Sequence, residues 1–142
     1  DTGALKEWAT TSFEENNEHR HLSHLYGVWP LFETQGNEKL TKACKQAIAN
    51  RTSENEASHA HVHRSLIAAR LKDSESLTDA LLKLMNHKIR YDSLMTNHDY
   101  DQGSCYCTDF AIGYLGIVNE ALIYSYNSDI ELLPALPTSA LD

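Results

Sequence analysis

The sequence is poor in the basic residues, long apolar runs and cysteines that would bind nucleic acid, cross a membrane or form disulfides. Twelve Lys and Arg against twenty Asp and Glu give a formal net charge of -8, which excludes the basic face that binds phosphate backbones. No apolar run approaches the ~20 residues that span a bilayer, and the first residues carry no secretory signal pattern. With three cysteines, at least one is unpaired. We therefore expect neither nucleic acid nor a membrane as a partner.

What the sequence does contain is enough apolar material for a core. Its 142 residues are 42% hydrophobic, so residues 1–142 are predicted to form a single domain. Apolar side chains at helical spacing predict helices over residues 37–50, 57–71 and 76–85, the last two joined by a turn into a helical hairpin. A long run over residues 108–126 is apolar on more than one side and predicts a deeply buried helix. Residues 129–136 predict a short extended segment. The predicted class is all-α with a short extended C-terminal segment.

The segment HRHLSHLYG, residues 19–27, is the first candidate site. It places three histidines and an arginine within six positions, on a predicted loop or first helical turn. Arg20 offers a rigid fork of donors, and His21 donates or accepts at neutral pH. The segment could thus recognise hydroxyl or carboxylate groups. The alternative is that Arg20 pairs with a nearby glutamate while His24 and Tyr26 belong to the core.

The segment HAHVH, residues 59–63, is the second candidate. On a strand its three imidazoles would share a face and resemble a metal site. On the predicted helix only His59 and His63 do so, and the HExxH pattern is absent. We therefore predict no metal site here. The other interpretation is a first helical turn whose histidines face a cavity or solvent.

The third candidate lies in the acidic segment of residues 97–109. Asp99 and Asp101 alternate as calcium ligands do, but the terminal glutamate of a calcium-binding loop is absent. Asp109 begins the most apolar predicted helix, whose N-terminus favours an ionised carboxylate. The simpler alternative is that Thr108 or Asp109 caps that helix. No nucleophile-elbow signature supports a catalytic triad.

Four segments in order resemble the later part of glycoside hydrolase family 95, which contains α-L-fucosidases and some α-L-galactosidases. They are EW at residues 7–8, HRHLSHLYG, ARLKD at residues 69–73 followed by ALL, and LLPALP at residues 132–137. The resemblance implies helical hairpins of an (α/α)6 barrel, of which this chain would be an incomplete C-terminal portion. It also implies an oligosaccharide substrate, no cofactor, and a bacterial periplasmic or extracellular location.

The resemblance further implies an inverting mechanism. A glutamic acid and a pair of asparagines would do the chemistry, in stretches expected to precede this chain, so that the chain alone would be inactive. Arg20 and His21 match the sugar-binding arginine-histidine pair. Asp109 matches the aspartate that polarises an asparagine, with Gly113 and Glu120 at the family's spacing, whereas Glu7 is expected to be structural.

Two stretches depart from the family pattern. Residues 58–63 replace a GWSRAW-like run and residues 109–114 replace DGNFGG, which leaves the identity of the sugar open. The alternative function is a non-catalytic helical carbohydrate-binding or interaction module. A partial barrel would expose apolar surface, so the expected partners are the remainder of the catalytic domain or a second copy of the chain.

Overall fold

The computed structural model describes residues 2–51, 57–85, 98 and 106–136. These residues form a short 3-10 helix over Ser23–Leu25, four α-helices and one two-stranded sheet. The elements are α1 (Glu38–Ala49), α2 (Ser58–Arg70), α3 (Ser74–Leu84), α4 (Thr108–Leu122), β1 (Ile123–Tyr126) and β2 (Asp129–Leu132). The predicted mainly helical class with an extended end is confirmed. Within the described residues, no helix is both long and apolar enough to cross a bilayer.

The chain divides into two compact units, Asp1–Asn55 and Glu56–Asp142. In the first unit, α1 begins where the sequence predicts, after Gly36 in a left-handed conformation (φ +73°). The side chain of Asn37 then caps the helix by accepting a hydrogen bond from the backbone N–H of Leu40 at 3.0 Å, which satisfies an otherwise unpaired donor. The predicted single domain over residues 1–142 stays a prediction.

The second unit is organised around α2, which packs against both α3 and α4. Most of its side chains are therefore buried, including Val62, Leu66 and Ile67. The helix α3 starts at a cap in which the carboxylate of Asp73 accepts from the backbone N–H of Ser76 at 3.1 Å. The predicted helical hairpin is confirmed, with bounds within two residues of the expectation.

Small residues let α4 approach α2 closely. A Cβ added at Gly113 would lie 2.5 Å from Cγ1 of Val62, and one at Gly116 would lie 3.6 Å from Cδ2 of Leu66. Further along the same contact, the guanidinium of Arg70 makes a two-point ion pair with Glu120, with Nη2–Oε1 at 2.7 Å and Nε–Oε2 at 3.0 Å. Arg70 comes from the ARLKD segment, so two positions that the resemblance matched to the family meet in one partly buried contact.

The prediction for residues 108–126 was wrong in two respects. The helix ends at Leu122, and residues 123–126 form β1, which pairs antiparallel with β2 so that Ile123 faces Leu132. Asn127 and Ser128 both have positive φ (50° and 72°), the conformation of a tight hairpin turn that matches the twist of two strands.

The second error concerns burial. Phe110, Ile117 and Ala121 face inward and are buried, but the opposite side of α4 exposes Ile112 (73%) and Leu115 (66%). Two apolar stripes on one helix need two neighbours, and the described residues supply α2 on one side only. We name the outer stripe, formed by Ile112, Leu115, Val118 and Leu122, the outer face of α4.

Candidate sugar-binding and catalytic site

The HRHLSHLYG segment forms an exposed loop that enters a short 3-10 helix. Leu22 and Leu25 are buried and anchor the segment, while Arg20 and His21 are exposed. The backbone N–H of His21 donates to Nδ1 of His19 at 3.1 Å, and the two imidazole rings lie 5.1 Å apart. The leucines thus hold the loop, while the side chains of His19, Arg20 and His21 are exposed.

The alternative interpretation of this loop finds little support. Within residues 2–51, no ion pair joins Arg20 to Glu14, Glu15 or Glu18. Tyr26 is exposed rather than part of the core. His24 is partly buried, and burial together with the charge of Arg51 lowers its pKa.

Arg51 is a residue that the sequence analysis did not single out. It follows α1 and is only 8% exposed. Its guanidinium Nη1 donates to the backbone carbonyls of Asn16 at 2.6 Å and His19 at 3.2 Å. Local sequence patterns could not identify Arg51, because its carbonyl partners lie 32 and 35 positions earlier in the chain.

A cavity of about 410 Å³ opens in the same unit. Its polar lining includes Lys6, Glu15, Asn17, His24 and Asn50. The Glu15 carboxylate accepts from the backbone N–H of Glu7 at 3.0 and 3.1 Å. These bonds fix the backbone at Glu7, for which a structural role was expected.

Asp109 lies in the second unit, in the first turn of α4, and is exposed. The residue at the cap position is Cys107, which makes no side-chain capping hydrogen bond. The alternative that Thr108 or Asp109 caps this helix is therefore wrong, and the carboxylate of Asp109 projects from a helix N-terminus that favours negative charge. The neighbouring residues 99–105, including Asp99 and Asp101, lie outside the described residues.

The histidines of residues 59–63 lie on α2, as predicted. His61 is 1% exposed, and burial, followed by the charges of Arg64 and Lys83, lowers its pKa from 6.5 to about 4. His59 stacks on His98, with ring centroids 4.8 Å apart. In the described part of the chain, no three His, Cys, Asp or Glu side chains group closely enough to hold a metal ion. His61 is therefore a neutral core residue near pH 7.

The described residues are mainly helical; the first unit exposes the Arg20–His21 pair, and the second exposes the Asp109 carboxylate at the start of α4. The family model described as the glycosyl hydrolase family 95 catalytic domain matches residues 1–122, so the chain belongs to that family. It is also similar to alpha-L-fucosidase 2 of Arabidopsis thaliana. The two are 29% identical over an alignment of 147 positions, which covers 95% of this chain. The chain spans 17% of the length of that curated relative.

Proposed function

We propose that the complete protein hydrolyses terminal α-L-fucosyl, or α-L-galactosyl, linkages of oligosaccharides. Membership of the family and similarity to a protein named alpha-L-fucosidase 2 support this activity. The observation that carries the proposal is the exposed Arg20–His21 pair within HRHLSHLYG. A planar guanidinium and an imidazole present several donors and an acceptor to sugar hydroxyls, whose own O–H groups both donate and accept.

The reaction proceeds with inversion at the anomeric carbon. An acid on one face of the sugar protonates the leaving oxygen while a base on the other face takes a proton from the attacking water. By resemblance, both groups come from parts of the catalytic domain outside this chain. Residues 1–142 contribute to that domain but are inactive alone, because neither half of such a site performs the reaction without the other.

Asp109 is the residue of this chain that takes part in the chemistry. Its carboxylate accepts a hydrogen bond from the amide N–H of the base asparagine, which increases the negative charge on the amide oxygen that receives the water proton. The N-terminus of α4 places the positive end of the helix dipole beside this carboxylate. Both its exposure and its place in the first helical turn support the role.

The test uses the complete protein with an aryl α-L-fucoside, an aryl α-L-galactoside and a fucosyl-α-1,2-galactoside. Asp109→Asn should lower kcat by roughly 100-fold or more, the usual contribution of acid–base assistance. Asp129→Asn is the matched control, because it makes the same change at an exposed position of the same unit and should leave kcat unchanged. Proton NMR of the first product should show the β-anomer.

Each outcome of this experiment tests a different part of the proposal. Wild-type protein that turns over none of the three substrates would favour the non-catalytic carbohydrate-binding module. Unchanged turnover in Asp109→Asn would remove this residue from the mechanism. Release of the α-anomer would replace inversion by retention.

We also propose that the remainder of the catalytic domain covers the outer face of α4. Isolated chain should then self-associate through Ile112 and Leu115, because contiguous exposed apolar surface drives association. The double change Ile112→Glu and Leu115→Glu should shift it to monomer in light scattering after size exclusion. Lys42→Glu, which adds negative charge at an exposed position of α1, should not. Monomeric wild-type chain would contradict this proposal.

A further inference from the structure

We propose that Arg51 is a positioning residue for the Arg20–His21 pair, a role that rests on the function proposed above. The pair itself lies on a loop with no regular secondary structure. A loop that binds a sugar needs support from a rigid element, since small displacements of a binding group weaken catalysis.

Arg51 contacts the chain on both sides of the pair. On the N-terminal side, its Nη1 donates to the carbonyl oxygens of Asn16 and His19 at 2.6 and 3.2 Å. His19 immediately precedes Arg20. On the C-terminal side, its Nη2 lies 3.4 Å from each ring nitrogen of His24. The six residues from His19 to His24, which include Arg20 and His21, are thus held at both ends by one guanidinium.

The anchor is fixed to a helix. Arg51 follows the last turn of α1, and its backbone N–H donates to the carbonyl of Ile48 at 3.0 Å. Its side chain is almost fully buried, which limits the rotamers it can adopt. The loop that carries the pair is therefore connected to α1 through a side chain with little freedom.

The charges around Arg51 agree with this arrangement. Burial lowers the pKa of the guanidinium, and the carboxylates of Glu7 and Glu15 oppose that shift. An arginine keeps its charge at physiological pH in any case. Burial and the Arg51 charge lower the pKa of His24, so near pH 7 the imidazole is neutral and does not repel the cation.

Only arginine supplies this combination of contacts. The planar fork presents donors in fixed, divergent directions, whereas a lysine ammonium is a compact point charge on a flexible stem. Arg51→Lys should therefore keep the charge but lose part of the support, and Arg51→Met should lose both.

The experiment compares Arg51→Met, Arg51→Lys and the control Lys42→Met in the complete protein, with the aryl α-L-fucoside as substrate. We expect kcat/KM to fall roughly 10- to 100-fold in Arg51→Met, as a misplaced binding group predicts, and less in Arg51→Lys. The Lys42→Met control removes an exposed cation from α1 and should match wild type. Millimolar guanidinium ion should restore part of the activity of a further variant, Arg51→Ala, whose truncated side chain leaves room for the ion. The same ion should not restore activity to a variant that has merely lost stability.

Hydrogen exchange provides a readout that needs no turnover. Amide exchange over residues 16–24 should rise in Arg51→Met, whereas exchange within α1 should not change. Three results would each overturn the inference: wild-type kinetics in Arg51→Met, unchanged exchange over residues 16–24 in that variant, or lost activity in Arg51→Ala that guanidinium does not restore. If the wild type proves inactive, the proposed function fails while the exchange measurement still tests the support of the loop. If Arg51→Met does not fold, Arg51→Lys carries the same comparison.

Discussion

Gly113→Ala should destabilise the contact between α2 and α4, although alanine favours helix. The new Cβ would lie 2.5 Å from Cγ1 of Val62, about 1 Å closer than ordinary van der Waals contact. Val62 is buried and its branched side chain has one preferred rotamer in a helix. Overpacking of this kind costs about 1–3 kcal/mol, against a gain of about 1 kcal/mol in helix propensity. We expect a net loss of up to about 2 kcal/mol.

Gly116→Ala is the matched control on the same helix. Its Cβ would lie 3.6 Å from Cδ2 of Leu66, an ordinary contact, so the propensity gain of up to about 1 kcal/mol should appear without a penalty. The two glycine substitutions should therefore shift the urea midpoint, followed by far-UV circular dichroism, in opposite directions.

Making Gly113→Ala in a Val62→Ala variant tests whether the clash with Val62 causes the loss of stability. In Val62→Ala the offending methyl group is gone, so adding Gly113→Ala should become neutral or stabilising, with a coupling of at least about 1 kcal/mol between the two positions. Equal stabilisation by Gly113→Ala and Gly116→Ala, or additive effects in the double variant, would refute the close approach of α4 to α2.

Two other predictions concern ionisable side chains of the second unit. His61 has a folded-state pKa of about 4 against 6.5 when exposed, so its contribution to stability is complete above pH 6.5 and is lost as pH falls toward 4. That loss is at most about 3 kcal/mol. His61→Gln should therefore flatten the pH dependence of the urea midpoint. Parallel curves for wild type and variant would contradict the lowered pKa of His61. Removing the charge of one partner of the Arg70–Glu120 pair by Glu120→Gln should cost roughly 1–3 kcal/mol, because the guanidinium, at 5% side-chain exposure, loses a charged acceptor. Adding Arg70→Met should recover part of that cost, and a further loss of similar size would show that the two groups do not act as a pair.

The amphipathic helices were predictable because their causes are local. Asn37 and Asp73 cap the helices next to them, and the apolar spacing that follows needs no distant partner to be recognised. The same holds for the exposed Arg20–His21 loop, whose motif is contiguous. The bounds of α1 to α3 accordingly match the predictions within two residues.

The strand at Ile123–Tyr126 was missed because its cause is a pairing. The residues from Leu122 to Tyr126 continue an apolar helical pattern, and only hydrogen bonds to Asp129–Leu132 make the extended form favourable. A local signal did exist in Asn127-Ser128, a turn pair between two runs of β-prone residues. The burial of α4 was misjudged for a related reason, since a second apolar stripe shows that a neighbour is needed but not where that neighbour lies.

The sequence by itself determined the helical class, three helix positions and, through HRHLSHLYG and its accompanying motifs, the family and the Arg20–His21 pair. Only the tertiary structure decided that His61 is buried while Asp109 is exposed, that Arg70 meets Glu120, and that Arg51 holds the loop at Asn16, His19 and His24. The physical reason is range: capping and periodicity act within a few residues, whereas burial and arginine contacts join residues that are tens of positions apart.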